Sequence, residues 1–319
     1  WLGLVGSEMC IRDRTYLKKH IQEVLNLELV DVDSIRTAGF KVVVDGVNST
    51  GGIFIPALLK ELNVECIELY CEPNGQFPHN PEPLKEHLTD ISELVVKEQA
   101  DVGIVVDPDV DRLALVCEDG SMFGEEYTLV ACADYVLGKL GGGNTVSNLS
   151  SSRALRDVTE KHGGTYTASA VGEVNVVIKM KETNTVIGGE GNGGIILPAS
   201  HYGRDSLVGV ALFLSHMATT KMSCKALRES YPSYFMSKNK IQLTPQIDVD
   251  NILEIMATKY ANEEVNTIDG VKIDFESQWV HLRKSNTEPI IRIYTESNSQ
   301  LNADELAERF ITEIKKIIA

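Results

Sequence analysis

The sequence predicts an α/β protein: two three-layer α/β units with mixed sheets, followed by a small α+β domain. Three observations carry this. Apolar strand-like runs alternate with helical periodicity from about residue 38, and the alternation resumes after the Gly141–Gly143 triplet. The chain then turns polar and broken between Pro232 and Thr244, and the C-terminal residues group their helices and strands instead of alternating them. A length of 319 residues suits two or three domains.

The chain opens at Trp1 with "WLGLVGSEMCIRDR", which has neither helical nor strand period and resembles translated sequencing-adapter read-through. Residues 1–14 are therefore left out of the fold reasoning as an expected non-native segment, with an unusual loop as the alternative reading. "YLKKHIQEVL" has apolar residues at three- and four-residue spacing, so a helix is expected there, and residues 15–37 read as the remnant of a preceding domain. The first unit, 38–140, begins with the strand "KVVVD" and a Gly-rich turn, then a helix near Ile53–Leu62, the strand "VECIELY", a helix near Ile91–Lys97 and the strand "DVGIVVD". The second, 141–236, takes strands from "TVSNLS", "TYTASA" and "TVIGGE", with helices near Arg153–His162, Val174–Lys181 and Ser206–Met217. The stretch 232–244 reads as a linker. The last domain, 237–319, has a helix at Val249–Tyr260, two or three strands within Val271–Thr295 and an amphipathic helix at Ala303–Ile318. No internal repeat stands out.

A net charge of -16 leaves no basic face for a nucleic-acid backbone. No run of eighteen apolar residues marks a membrane span. The six cysteines lack CxxC spacing and read as reduced thiols of a cytoplasmic protein. Nothing in the sequence speaks to oligomeric state.

Three short segments carry chemistry. In "GIVVDPDVDRLALV", Asp107, Asp109 and Asp111 alternate between two strand-like runs, so an extended backbone would place their carboxylates on one side. A calcium hand needs Gly at the sixth loop position, where this chain has Arg112. Three oxygens suit an octahedral Mg²⁺ with positions left for a phosphate oxygen. In "VIGGEGNGGII", Glu190 and Asn192 sit on a loop so rich in glycine that something must approach its backbone closely, and they could hydrogen-bond sugar hydroxyls. In "LRKSNTEPIIR", Arg283 and Arg292 bracket Ser285, Asn286 and Thr287, supplying the guanidinium forks an acidic protein needs to hold a phosphate.

In this order the three segments resemble the metal, sugar and phosphate loops of the α-D-phosphohexomutase family, DxDxDR, GExxG and RxSxTEPxxR. The likeness runs through nearly all of residues 15–319. It implies that Asp107, Asp109 and Asp111 bind Mg²⁺ with Arg112 beside the reacting phosphate. It further implies that Glu190 and Asn192 bind sugar hydroxyls, and that Arg283, Ser285, Asn286, Thr287 and Arg292 hold the phosphate that does not react. The fold implied ends in a TATA-binding-protein-like domain, and the implied activity is hexose-phosphate isomerisation through a phosphoserine and a bisphosphorylated intermediate. The wording of the loops is most similar to the phosphoglucosamine mutase branch, with phosphomannomutase or phosphoglucomutase as the alternative.

The chain departs from that pattern in three places. It has no TxSHNP-like serine loop, so no mutase turnover is expected from these residues alone; "FPHNPEP" at 77–83 ends in His-Asn-Pro without the serine and reads as structural. Ala170 stands where many relatives carry a Lys before Val171-Gly172, leaving the general acid or base unidentified, with Glu173 and His201 as weak substitutes. "GEGNGG" lacks the Ser or His that many relatives have, which blurs the hexose. Two other readings stay open on the residues: a non-catalytic sugar-phosphate-binding protein, and a Mg²⁺-dependent phosphatase with a loop aspartate as nucleophile.

Overall fold

The computed structural model describes residues 15–243, 247–285 and 289–318. The first 14 residues, and Asn286 and Thr287 of the segment expected to hold phosphate, lie outside them.

The first sheet comprises β1 (Lys41–Asp45), β2 (Glu65–Leu69), β3 (Val102–Val106) and β4 (Leu113–Cys117) in the order β2-β1-β3-β4. β1 runs parallel to both neighbours, and β3 pairs antiparallel with β4. All five residues of β3 are buried, which is why its sequence is an unbroken apolar run and not an alternation. Helices α1 (residues 15–25), α2 (Val32–Ala38), α3 (Gly51–Glu61) and α4 (Thr89–Glu98) accompany this unit. Ile21 and Val24 of α1 are buried in the main core, so the segment that reads as a remnant is packed into the structure.

The second sheet repeats that wiring. β5 (Asn144–Asn148), β6 (Tyr166–Ser169), β7 (Thr185–Glu190) and β8 (Gly194–Ile196) lie in the order β6-β5-β7-β8, with β5 parallel to β6 and β7, and β8 antiparallel to β7. Around it stand α5 (Glu125–Leu140), α6 (Ala154–Lys161), α7 (Glu173–Glu182) and α8 (Ser206–Thr220), while α9 (Cys224–Glu229) packs on α5 and β4. The two sheets are topological copies although the sequence shows no repeat, because strand order depends on connection geometry and not on residue identity. α5 and α8 are buried on nearly every side, and one apolar core runs through both units. Burial all round removes the polar stripe that marks an amphipathic helix, which is why the sequence pattern does not single out α5.

The third domain is an all-antiparallel sheet, β10 (Glu264–Asn266), β11 (Val271–Asp274), β12 (Trp279–Lys284), β13 (Ile290–Ser297) and β9 (Phe235–Gln242), in the order β10-β11-β12-β13-β9. Helices α10 (Val249–Lys259) and α11 (Gln300–Ile318) cover it over a separate core. β9 corrects the linker reading of 232–244. "FMSKNKIQ" is an edge strand pairing along its whole length with β13, and since only Ile241 is buried it lacks the apolar alternation that marks a strand.

Candidate active site

The equivalent wiring of the two sheets places the aspartate loop and the Gly-rich loop at equivalent positions. The aspartate loop joins the third strand to the fourth in the first sheet, and the Gly-rich loop does so in the second. Both therefore leave the carboxyl end of a parallel strand next to the point where strand order reverses, where open α/β sheets bind ligands. They also touch: the Leu113 N–H donates to the Gly193 carbonyl at 3.1 Å.

The aspartate loop is bound to itself and to its surroundings. Asp107 Oδ1 accepts the amides of Asp111 (3.1 Å) and Arg112 (3.0 Å), folding the chain back over the carboxylate. That fold needs Val110 at φ 61, a left-handed conformation costly for a β-branched residue. It is held by Val110 N–H to Asp107 O (3.1 Å), by Ser206 N–H to Val110 O (3.1 Å) and by burial of the side chain. The hydroxyls of Ser49 and Thr50 donate to the Pro108 carbonyl from the other side.

Asp107, Asp109 and Asp111 each offer an oxygen within 4.8 Å of the others. Burial, reinforced by the adjacent carboxylates, raises Asp107 to about 7. Among the described residues, Asp111 Oδ1 is buried with no hydrogen-bond partner. A crowded all-oxygen cluster with an unsatisfied buried oxygen fits a hard divalent cation. Arg112 stands beside it, with Nε 3.3 Å from Asp107 Oδ2 and Nη1 3.6 Å from Glu82, a residue of the proline-rich segment.

The glycines of the second loop make room for the chain itself. A Cβ on Gly193 would lie 2.2 Å from the Leu113 carbonyl oxygen, and one on Gly191 2.0 Å from the Glu126 carboxylate. Glu190 is buried, its Oε1 accepting from Asn148 (3.0 Å) and its Oε2 from Arg204 (3.2 Å). Asn192 Oδ1 accepts the Gly194 amide.

Arg283 on β12 and Arg292 on β13 face each other in register. Like charges directly opposite destabilise a sheet. Asp269 offsets Arg283 at 3.6 Å, and among the described residues no carboxylate pairs with Arg292. Ser285 is buried and its N–H donates to the Ile290 carbonyl, closing the hairpin. Glu190, Asn192, Arg283 and Arg292 line one cavity of about 190 Å³ together with Lys238 and Tyr294. A larger cavity of about 690 Å³, bounded by Phe40 and Met217, is lined by Asp33, Asp101, Glu118 and Lys221 and by no arginine among the described residues.

Three residues of the site carry no sequence signal. Arg204 lies at the junction of both loops, pairing with Asp111, with Glu173 (3.4 Å) and with Glu190 (3.2 Å). Lys238, on the edge strand β9, reaches the cavity and pairs with Glu125 at 2.6 Å. Glu126 lines the same cavity, and desolvation there pushes its carboxyl up to about 8. Charged residues far apart in sequence leave no local motif. Glu173 and His201 are each held in place, Glu173 by the Arg204 amide and side chain, His201 by Asp205 at 2.9 Å.

Fold and cleft together define a protein of two like-wired α/β units and an antiparallel closing domain, with clustered carboxylates on one loop and guanidinium groups paired across two strands of the closing domain. Comparison with known proteins makes the class specific. The chain matches the models of phosphoglucomutase/phosphomannomutase α/β/α domain II over residues 18–120, domain III over 124–234 and the C-terminal domain over 240–313. It is 34% identical over 301 residues to a phosphoglucomutase/phosphomannomutase of Thermococcus kodakarensis, covering 93% of this chain and 65% of that protein. It is 30% identical to a probable phosphoglucosamine mutase of Methanopyrus kandleri, covering 97% and 68%. A crystal structure of a Burkholderia thailandensis phosphoglucomutase/phosphomannomutase family protein superposes with a TM-score of 0.78 at 27% identity, covering 89% of this chain and 63% of that one. The chain belongs to the α-D-phosphohexomutase (phosphoglucomutase/phosphomannomutase) family, and spans about two thirds of the length of the curated relatives it matches.

Proposed function

We propose that this chain carries the metal-, sugar- and phosphate-binding parts of a phosphohexose mutase acting on glucosamine phosphate, interconverting the 6- and 1-phosphates, with phosphomannomutase or phosphoglucomutase chemistry as the alternative. The observation that supports it most is the shared cavity, in which Arg283 and Arg292, with one ion pair between them among the described residues, stand with the buried Glu190 and the Asn192 amide. In this reading Arg283, Arg292, Ser285, Asn286 and Thr287 hold the distal phosphate by charged hydrogen bonds. Glu190 and Asn192 orient the sugar through its hydroxyls. Asp107, Asp109 and Asp111 hold Mg²⁺, which when bound neutralises charge on the phosphoryl group, and Arg112 approaches the same group. The phosphosugar must be turned between half-reactions, and the arrangement suits this. Cationic grips at the two ends of a hydroxyl-binding middle accept either phosphate at either end. The 319 residues hold no serine loop of the TxSHNP pattern, so the phosphoryl carrier is not assigned to them.

Several of the similar proteins have names that include phosphoglucosamine mutase, which supports glucosamine phosphate as the first substrate to test. Calorimetric titration of the chain with glucosamine 6-phosphate, glucose 6-phosphate and mannose 6-phosphate, in Mg²⁺, tests the reading. Tightest binding of glucosamine 6-phosphate supports it, preference for another hexose moves it to the alternative, and saturable binding of none of them overturns substrate recognition by this chain.

A further inference from the structure

We propose that His20, His201 and Asp205 form a second divalent-metal site, built for an imidazole-binding ion of the Zn²⁺ class and distinct from the aspartate loop. The three residues come from the start of the described chain and from the turn before α8. His20 Nε2 lies 2.7 Å, and His201 Nε2 2.9 Å, from the same oxygen, Asp205 Oδ2. All three donor atoms fall within 4.8 Å of one another.

The geometry is fixed from behind. Asp205 caps α8 with its other oxygen, Oδ1 accepting the amides of Leu207 (2.8 Å) and Val208 (3.2 Å), which aims Oδ2 at the histidines. The carboxylate is buried, whereas the His201 side chain is 44% exposed, leaving an entry path and room for a water as fourth ligand. Glu23 Oε2 lies 4.0 Å from His20 Nδ1, the outer position from which a carboxylate orients a ligating imidazole.

Two imidazoles and one carboxylate with an open position suit Zn²⁺, whose bonds to such donors are about 2.0–2.2 Å. Small outward rotations of the rings would admit the ion. Mg²⁺ and Ca²⁺ prefer all-oxygen donors, so the two clusters select different metals. None of the three side chains lines the phosphosugar cavity. An ion would instead join α1 to the Arg204-Asp205-Ser206 turn. That turn is bound to the aspartate loop on both sides of Asp205, through Arg204 to Asp111 and Ser206 N–H to Val110 O. Bridging residues 185 positions apart, it would also restrict the unfolded chain.

The same side-chain positions could be held by two imidazole N–H donors on one oxygen without an ion, and the experiment separates these cases. The chelator-stripped chain, with excess Mg²⁺ to fill the aspartate loop, is titrated with Co²⁺ and followed by visible absorption, then by displacement with Zn²⁺ and by melting. The expected result is one equivalent of Co²⁺ with a ligand-field band, Zn²⁺-dependent stabilisation, and affinity at least about tenfold weaker in His201→Gln and His20→Gln. His201 is half-exposed, so its variant should fold. Absence of both the band and the stabilisation in the parent chain, or equal binding by parent and His201→Gln, overturns the site and leaves a hydrogen-bonded staple.

Discussion

Arg283 and Arg292 stand directly opposite one another across β12 and β13, two like charges at paired positions of an antiparallel sheet. Such a pair costs stability unless something anionic lies between or beside it. Asp269 answers one of the two. Arg292→Ala should therefore leave the unliganded fold at least as stable and weaken hexose-phosphate binding by about 1.5–3 kcal/mol. Paired melting and calorimetry check this. Unchanged affinity would remove the hairpin from the site, and a large loss of unliganded stability would assign Arg292 a structural role.

Arg204 makes the opposite case, a cation that three carboxylates depend on. It is only 15% exposed and pairs with Asp111, Glu173 and Glu190. Arg204→Met leaves those charges facing one another, and breaking a buried network this way costs on the order of 3–5 kcal/mol. Mg²⁺ should restore part of the loss by neutralising Asp111. Urea denaturation with chelator and with Mg²⁺ measures both, and a loss under about 1 kcal/mol would show that the clamp contributes little.

These two arginine sites mark what the sequence could reveal. Arg283 and Arg292 are nine positions apart, and the three aspartates span five, so each cluster is visible as a local pattern on a strand-loop-strand segment. Arg204 reaches Asp111 from 93 positions away, a distance set only by how the two sheets dock. Lys238 is hidden for a different reason, since it lies on an exposed edge strand whose polar sequence reads as linker. The glycines of the Gly-rich loop signal close approach correctly but do not say to what, and the partners are Leu113 and Glu126. The duplicated strand order is invisible because topology leaves no trace in composition.

His281 is expected to make the protein acid-sensitive. Its Nε2–H donates to the Asp269 carbonyl at 2.7 Å, so Nδ1 is left to accept the Ser150 hydroxyl at 2.9 Å, tying the second unit to the third domain. Only the neutral ring does both. Burial pushes the imidazole down to about 4, against 6.5 for a free one. Between those values the unfolded chain takes up a proton that the folded chain refuses. The contribution is full above about pH 6.5 and is lost as pH falls towards 4, by roughly 3 kcal/mol over the whole span. In His281→Gln the stability-against-pH curve should flatten across that window, and an unaltered slope would show that the ring is not the group responsible.

Gly193 is where the two loops are joined, and it should tolerate no side chain. Its φ of +86 is unfavourable for other residues, and an added Cβ would meet the Leu113 carbonyl oxygen at 2.2 Å, a backbone atom that cannot swing aside. The Leu113 N–H that binds the Gly193 carbonyl belongs to the same contact, so relieving the clash breaks the hydrogen bond that joins the aspartate loop to the Gly-rich loop. Gly39 provides the control: its φ is +68, but nothing lies within 4 Å of an added Cβ. Gly39→Ala should cost only the backbone term, about 1–2 kcal/mol. Gly193→Ala adds overpacking of about 1–3 kcal/mol and a lost hydrogen bond, and should weaken hexose-phosphate binding and Mg²⁺ response together. Melting and calorimetry on both variants decide the matter. Equal costs would mean that the loops separate freely, whereas a Gly193 variant that lost one ligand and kept the other would show that the aspartate and Gly-rich loops act independently despite their contact.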